Sequence, residues 1–501
     1  VTQPTGNQPA GESPRKCPAE IPTRPIRARY DAAQSGTDNA THWAAADSYD
    51  ADSANSPAVR KTLRERSRYE RENNGYSKGT IRTHANYTIH GGPTLRMQTG
   101  SDGFNAMVEA AWRRWTKACK FRRKLRVMHM AKVGDGESLA WTFFNPGLAD
   151  AVQLDFRPLE CDQCSTPYLP AGEKSRIDGV HFDRYGNVTA FDILPEHPGG
   201  QWSGYNRDPI EVPARFILHW FMLERAGQHR GIPDTTATLS LSAAARRFRE
   251  ATVGAAESAA DFGVIFNTNM QVNDGPDEIR PLTEIEFDKR MAIAAPMGWD
   301  GHQMKGEHPS TTFDMFNKAT VNEQARPLSM PRNLAMCDSS DYNFSSGQLD
   351  HHTYFAACDN ERLDGDDLVV DPLFGLWFPE ARDVYGWAVD PYPIPPHAWD
   401  WPGYPKIDPT KTAKARAASL GVGATSLTRI YREDGLDFED ELKVMAKDYG
   451  VEVDEMRAIL RNAVFRQAAA PEPEEEEEEE QPRMAVPAQA MLRGRNGYAR
   501  T

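Results

Sequence analysis

The sequence predicts an α+β fold with a helical and β mixed region, a long helix, an irregular insert and a helical C-terminus. Three observations carry that expectation. Short, loosely alternating runs with turn residues fill 125 to 225. An alanine-rich helical pattern follows from Leu239 to Phe262, and amphipathic helical runs return between 411 and 470.

Bulk properties bound the answer. The chain has 501 residues, 39% hydrophobic and 26% charged, enough for two to four domains. Its 11 Trp, 16 Tyr and 21 Phe favour folded structure from about 60 to 465. The net charge of -14, from 72 acidic and 58 basic residues, argues against a generic nucleic-acid coat, which needs surplus Lys and Arg. It does not argue against letting DNA pass. Cysteines 17, 119, 161, 164, 337 and 358 are sparse and read as reduced thiols. No run of 18 apolar residues suggests a membrane span, and VTQPTGNQPAGESPRK does not read as a signal peptide.

In chain order, residues 1–58 are rich in Pro, Gly, Ala, Ser and Asp and read as a flexible arm, docked at most around Ile26–Tyr30. VRKTLRERSRYERENNGYSKG, from Val59, reads as a polar helix ended by Asn74-Gly75. A helix over Gly103–Arg122 sets Phe104, Met107, Val108, Ala111, Trp112 and Trp115 on one side. Strands follow; HFDRYGNVTAFDIL is a hairpin about Tyr-Gly-Asn, and VPARFILHWF is a single strand. After the 239–262 helix come an irregular insert at 264–310, a helix at 311–325 and another over Gly347–Leu363. Seven prolines within 387–409 forbid helix and sheet interior, while three tryptophans there imply packing. KTAKARAASLGVG, then a cap at Thr425, and two more helices complete the fold. Seven consecutive glutamates, 474–480, form a solvated segment that serves solubility or meets a basic partner.

Candidate chemistry is thin. Cys161-x-x-Cys164 lacks the second ligand pair that zinc needs. Adjacent His351 and His352 diverge on a helix and do not share a metal. No phosphate loop of the GxxxxGK[ST] or GxGxxG kind and no GxSxG is present, so no cofactor, metal or catalytic residue is expected. Two basic clusters remain. KTLRERSRYER is diluted by glutamates and reads as a solvated helix face. Arg113, Arg114, Lys117, Lys120, Arg122, Arg123, Lys124 and Arg126 stand within fourteen residues without an acid. They suit an acidic subunit neighbour or DNA phosphates. SSDYNFSSGQLDHHTY, 339–354, is polar and aromatic without Lys or Arg. Residues alone favour a structural or assembly protein over an enzyme.

Three stretches, in order, resemble the lambda-like family of tailed-phage portal proteins. In HWFMLERAGQHRGIP, His219 to Pro233, the matching positions are Glu224, Arg225, Gly227, Gln228, Arg230, Gly231 and Pro233, with Ala226 where the family often has proline. Asp338, Ser340, Asn343, Phe344, Ser345, Ser346 and Gly347 follow a second family pattern, with Phe344 for tyrosine and Gln348 for arginine. Trp401, Pro402 and Gly403, then Ile407, Asp408, Pro409 and Lys411, and Thr425-Ser426, follow a third, with Thr412 where glutamate is common. Asp178-Gly179-Val180, Asp183 and Tyr185-Gly186 agree more weakly.

The resemblance implies a portal fold: a mixed wing at 59–235, a first stem helix at 236–263 and a clip-like insert at 264–310. A second stem helix, wing return and tunnel-proximal region occupy 311–410, a helical crown 411–470, and an acidic disordered tail 471–501. It implies a homo-oligomeric ring of twelve at one capsid vertex that passes double-stranded DNA without sequence specificity. Implied partners are the terminase large subunit, which would hydrolyse the ATP, the major capsid protein and head-completion or adaptor proteins; no membrane is involved. Assembly in the host cytoplasm and residence in the virion follow. Residues 338–347 would lie near the tunnel, with Ser345 and Ser346 capping the next helix. The alternatives are another virion ring or adaptor, or an assembly protein carrying a nuclease or protease domain.

Overall fold

A computed structural model describes residues 41–165, 175–201, 208–260, 264–268, 299–303, 310–390, 392–405 and 408–468. The docked spot expected at Ile26–Tyr30, the glutamate run and most of the 264–310 insert lie outside them.

Helix formation begins before the expected boundary. The arm assigned to 1–58 ends in α1, Ala51–Ala54, whose N-terminus is capped by the Asp50 carboxylate accepting from Ser53 N at 2.7 Å. Helix α2, Pro57–Asn73, starts with proline at its first turn, where the missing N–H costs no hydrogen bond. Asn74 closes α2 and its side chain accepts from Tyr76 N, opening α3, Gly75–Ile89. The Asn74-Gly75 stop is therefore also a start.

After β1, Thr94–Met97, the helix expected over Gly103–Arg122 is two helices. Helix α4, Asp102–Ala118, breaks at Cys119 and Lys120; Lys120 adopts a left-handed conformation, φ 58°. Helix α5, Phe121–Asp135, then occupies sequence expected to be β. The start of the region expected to be strands from 125 is a helical face, since Leu125, Met128, His129, Lys132 and Val133 are all buried.

The strands are β2 Glu137–Phe144, β3 Leu154–Leu159, β4 Arg176–Ile177, β5 Val180–Phe182, β6 Val188–Ile193, β7 Ile210–Pro213 and β8 Ile217–Phe221. They form two antiparallel sheets, β3-β2-β8 and β4-β5-β6-β7. The hairpin about Tyr185-Gly186 is β5–β6, Gly186 taking φ 86°. VPARFILHWF is not one strand: Pro213 and a 3-10 turn at Ala214–Phe216 hand the chain from one sheet to the other. Leu139, Leu159, Cys161, Cys164, Val180, Phe191 and Val212 pack together across these strands.

Helix α6, Leu239–Ala260, is close to its expected length. Strands β9, Val264–Thr268, and β10, Trp299–Gln303, pair antiparallel within the insert. Helices α7, Ser310–Ala325, and α8, Arg332–Met336, follow. The helix expected to stop at Leu363 runs as α9, Phe344–Gly365, passes through one π-helical turn at Asp366–Val370, and continues as α10, Asp371–Tyr385. Its second half builds the main core: Leu373, Phe374, Trp377 and Phe378 are fully buried with Trp115, Phe121, Leu125, Phe156 and Trp220. Trp112 sits edge-on to Trp377 at 5.1 Å and beside Trp115 at 4.8 Å. Each such side chain contributes roughly 1.5–3 kcal/mol of burial. Met107, placed on that face by periodicity, is instead 53% exposed.

The proline-rich run supplies β11, His397–Asp400, which among the described residues pairs with β1 alone, Leu95 opposite Trp399. Four helices end the described chain: α11 Pro409–Gly421, α12 Leu427–Glu433, α13 Phe438–Tyr449 and α14 Val453–Ala468. Asp408 caps α11 through Thr410 N and Lys411 N. Ser426, not Thr425, caps α12, because Arg429 N reaches its hydroxyl at 3.2 Å. Phe438, Leu442, Ala446 and Met456 form a separate small core here.

Candidate functional site

The 219–233 stretch leaves β8 and turns at Gly227, φ 79°. Gln228 staples the turn: its Oε1 accepts from Glu224 N at 3.1 Å and Arg225 N at 3.2 Å, and its Nε2 donates to Arg230 O at 3.0 Å. Arg230 then enters the interior and meets Glu137, the first residue of β2, through Nε and Nη2. At Gly231 the two backbones touch; a Cβ there would collide with the carbonyl of Gly136. Pro233 closes the stretch, and the next residue, Asp234, accepts from Lys132 Nζ at 3.1 Å.

Around Arg230 lies a buried ionic core. Arg60, Arg64, Arg68 and Arg230 face Asp135, Glu137, Asp162 and Asp178. His219 Nε2 joins at 2.9 Å from Glu137. Burial works to raise the Glu137 carboxyl, but Arg230 and Arg64 outweigh it and hold it well below the usual carboxylate range. The remaining donors are absorbed by backbone: Arg230 Nη1 donates to Cys164 O at 3.0 Å and Nη2 to Cys161 O at 3.2 Å. The Cys161-x-x-Cys164 pair thus presents its carbonyls here, and burial pushes both thiols up.

This core corrects the reading of KTLRERSRYER as a solvated face. Arg60 and Arg64 are buried, at 3% and 4% exposure. The signal was present: arginines at 60, 64 and 68 recur at helical spacing on one side of α2, and the glutamates interleaved with them lie on other sides. Asp178, matched only weakly by resemblance, supplies a carboxylate to both Arg60 and Arg230 from a left-handed turn, φ 38°.

The second stretch forms the turn between α8 and α9. Asp338 Oδ1 accepts from Ser340 N at 3.0 Å, and Gly347 N donates to Asn343 O at 3.1 Å. Phe344, Ser345 and Ser346 are already helical, so the serines stand in the first turn and neither occupies the cap. Asp338 and Ser340 are exposed and Gly347 is buried. His351 Nε2 lies 3.1 Å from Asn333 Nδ2; His352 is exposed.

The third stretch fastens the C-terminal helices. Trp401 Nε1 donates to both carboxylate oxygens of Asp366, in the π-helical turn, at 3.1 and 3.0 Å. The Arg362 guanidinium lies over the Trp401 and Tyr404 rings. Pro402 packs by Gly435, and a Cβ on Gly403 would collide with Glu433 O at the end of α12. Asp408 and Pro409 start α11.

Of the basic segment, Arg113, Arg114, Lys117, Lys120, Arg122, Arg123 and Arg126 are exposed along α4 and α5. Lys124 is not part of that surface; it pairs with Asp155. Arg113 meets Asp440 of α13 at 3.5 Å, Arg114 lies over the Tyr385 ring, and Arg126 donates to His90 O.

A second polar cluster was invisible in the sequence, since its members are scattered from 84 to 361. Lys132 is 1% exposed and bonds Glu361 at 2.5 Å and Asp234. His84 and His129 lie beside Glu361. Burial holds His84 down at about 3. It would raise Glu361, but His129 and Lys132 outweigh it and keep the group ionised.

Residues 37–362 match the family model described as phage portal protein, lambda family. The chain belongs to that family. Both the Arg230 stretch and the 338–347 turn of this portal-family chain fall inside the match; the Trp401–Pro409 stretch lies beyond it. The chain is 23% identical, over 77% of its length and 80% of the relative's, to a protein called "Probable portal protein" of Halomonas phage phiHAP-1. Among solved structures, it resembles a chain from the virion of a native gene transfer agent particle: 13% identity, TM-score 0.43, 76% of this chain and 94% of that one. An HK97 family phage portal protein from Corynebacterium diphtheriae aligns at 9% identity and TM-score 0.31, over 61% and 93%. Among the described residues of the portal-family chain, no helix is long and apolar enough to cross a membrane.

Proposed function

We propose that this chain is the subunit of a closed ring that forms the DNA channel at one capsid vertex. In this reading it docks the terminase large subunit during packaging and head-completion or adaptor proteins afterwards, and it has no hydrolytic activity of its own. The observation that carries the proposal is the match to the lambda portal family across 37–362. The chemistry of the Arg230 stretch supports it: these family residues are spent on joining α1, α2 and the two sheets, a positional task, and the buried ions around Arg230 are paired with one another. The small-residue helix α6 suits a crowded ring of stems, β9–β10 a clip, α11–α14 a crown, and the exposed α4–α5 cations a contact with DNA phosphates or an acidic neighbour.

Electron cryo-microscopy of the purified full chain without imposed symmetry tests this. Closed rings with an opening wide enough for a duplex are expected, and the images give the copy number. A chain that stays monomeric over a wide range of salt and concentration, and also when capsid protein is present, overturns it.

A further inference from the structure

Helices α3, α5 and α9 meet at His84, His129 and Glu361, whose ligand atoms all lie within 4.8 Å of one another. The three side chains come from different helices and are buried, at 2%, 0% and 7% exposure. Neither ring nitrogen of His129 has a hydrogen-bond partner, nor does Glu361 Oε2. A buried imidazole with both nitrogens unpaired is costly. Its neighbours show where the missing partner belongs, because His129 Nε2 stands 3.6 Å from Glu361 Oε2. Two ligands on one tetrahedral zinc, with bonds near 2.0–2.1 Å, stand roughly 3.4 Å apart.

The surroundings are those of a metal's outer shell. Lys132 Nζ takes Glu361 Oε1 at 2.5 Å and so turns Oε2 toward the imidazole. Tyr354 OH lies 3.1 Å from His84 Nδ1, which leaves His84 Nε2 for the ion. Outer partners of this kind fix the tautomer of ligating histidines and orient ligating carboxylates.

We propose that His84, His129 and Glu361 form a buried site for one divalent transition metal, zinc by its two-imidazole, one-carboxylate donor set. Water or hydroxide completes the tetrahedron. Glu361, Asp234 and Lys132 sum to one negative charge, so zinc with a hydroxide leaves the cluster neutral. The ion joins three helices that no short-range sequence feature connects. Two other carboxylate–histidine groups are weaker candidates: in Glu160/Asp162/His197 the Asp162 carboxylate is taken by Arg64 and Arg68, and His181/Asp192/Glu211 includes an exposed Glu211.

The test uses the purified full chain, exposed to zinc, then passed through gel filtration and assayed for bound metal. Close to one zinc per chain is expected. Cobalt loaded in its place should give the intense visible bands of a tetrahedral site, which needs no variant and so does not depend on any variant folding. Glu361→Gln and His129→Gln should lose the bound metal and the cobalt spectrum, and Lys132→Met should weaken binding by about 10–100-fold. A chelator should lower the melting temperature of the wild type. A wild-type chain that keeps no zinc or cobalt overturns the proposal. So does metal retained equally by Glu361→Gln and His129→Gln, which would place it elsewhere on the chain.

Discussion

Arg230 grips Glu137 with Nε at 3.0 and 2.9 Å and Nη2 at 2.7 Å, both side chains sealed from solvent at 1% and 0% exposure. The pair joins the loop after β8 to the first residue of β2, and Arg64 and His219 share the same carboxylate. Removing one member strands charge in a dry interior, which costs about 3–5 kcal/mol. Arg230→Met is therefore expected to destabilise the chain by about that amount, read as a lower urea midpoint. Arg230→Lys should recover only part of it, because an ammonium cannot reproduce the two-pronged geometry. A loss under about 1 kcal/mol, the range of exposed pairs, would show that the pair is solvated in solution.

Gly231→Ala should be worse than its single methyl suggests. The new Cβ would run into backbone at Gly136, not into a side chain that can swing away. The expected outcome is insoluble or partly unfolded protein by circular dichroism, whereas Gly79→Ala, with open space at its Cβ inside α3, should be neutral or stabilising by a few tenths to about 1 kcal/mol. Gly403→Ala should spare the main core and loosen α11–α14, seen as faster proteolysis near residues 401–437.

The Asp366 carboxyl gives the fold a pH dependence. Burial pushes it up to about 7, against the opposing pull of the Trp401 indole N–H. An acid whose folded value lies above its ordinary 3.8 holds more protons folded than unfolded between those two values. Its stabilising contribution is full below about pH 4 and is lost as pH rises toward 7. Asp366→Asn keeps an acceptor for Trp401. Relative to wild type it should flatten the decline in melting temperature from pH 4 to 7 and melt higher above pH 7. Parallel curves for the two proteins would contradict this.

The basic segment divides into two kinds of residue. Lys117→Gln, Lys120→Gln, Arg122→Gln and Arg123→Gln together should leave the melting temperature unchanged, since all four are exposed. They should reduce DNA packaging or ring assembly in a complementation assay. Lys124→Ala should instead lower stability, because it unpairs Asp155 at the edge of the main core.

Much of the fold was legible where a local pattern had a single meaning. Alanine density marked α6, and the run KTAKARAASLGVG marked α11, which starts two residues earlier at Pro409. Errors arose where one pattern fits two structures. Leu125, Met128 and Val133 suit a strand or a buried helix until Lys120 is known to take a left-handed turn. No helix was expected after Leu363; the chain passes Gly365 into a π-helical turn, and Pro372 falls in the first turn of α10, where its missing N–H is harmless. For the site, the glycines and Arg230 of the 219–233 stretch were found by resemblance. Their partners Glu137 and Asp178 were not assigned to it, because a salt bridge between residues 93 apart leaves no trace in spacing. The His84, His129 and Glu361 cluster has the same character.

The α1 helix changes what the first sixty residues can be. Asn55 Nδ2 donates to Arg230 O at 3.0 Å, and Asp52 accepts from the backbone and ring of His229. The loop that carries Arg230 is thus finished by chain laid down more than 170 residues earlier. Proteolytic shortening of the N-terminus therefore has a floor. A cut before Tyr49, whose carbonyl accepts from Arg225 Nη2 at 3.0 Å, removes only what precedes this clasp. One past Asn55 strips polar partners from a sealed loop, so a particle that matures by trimming must stop upstream of α1.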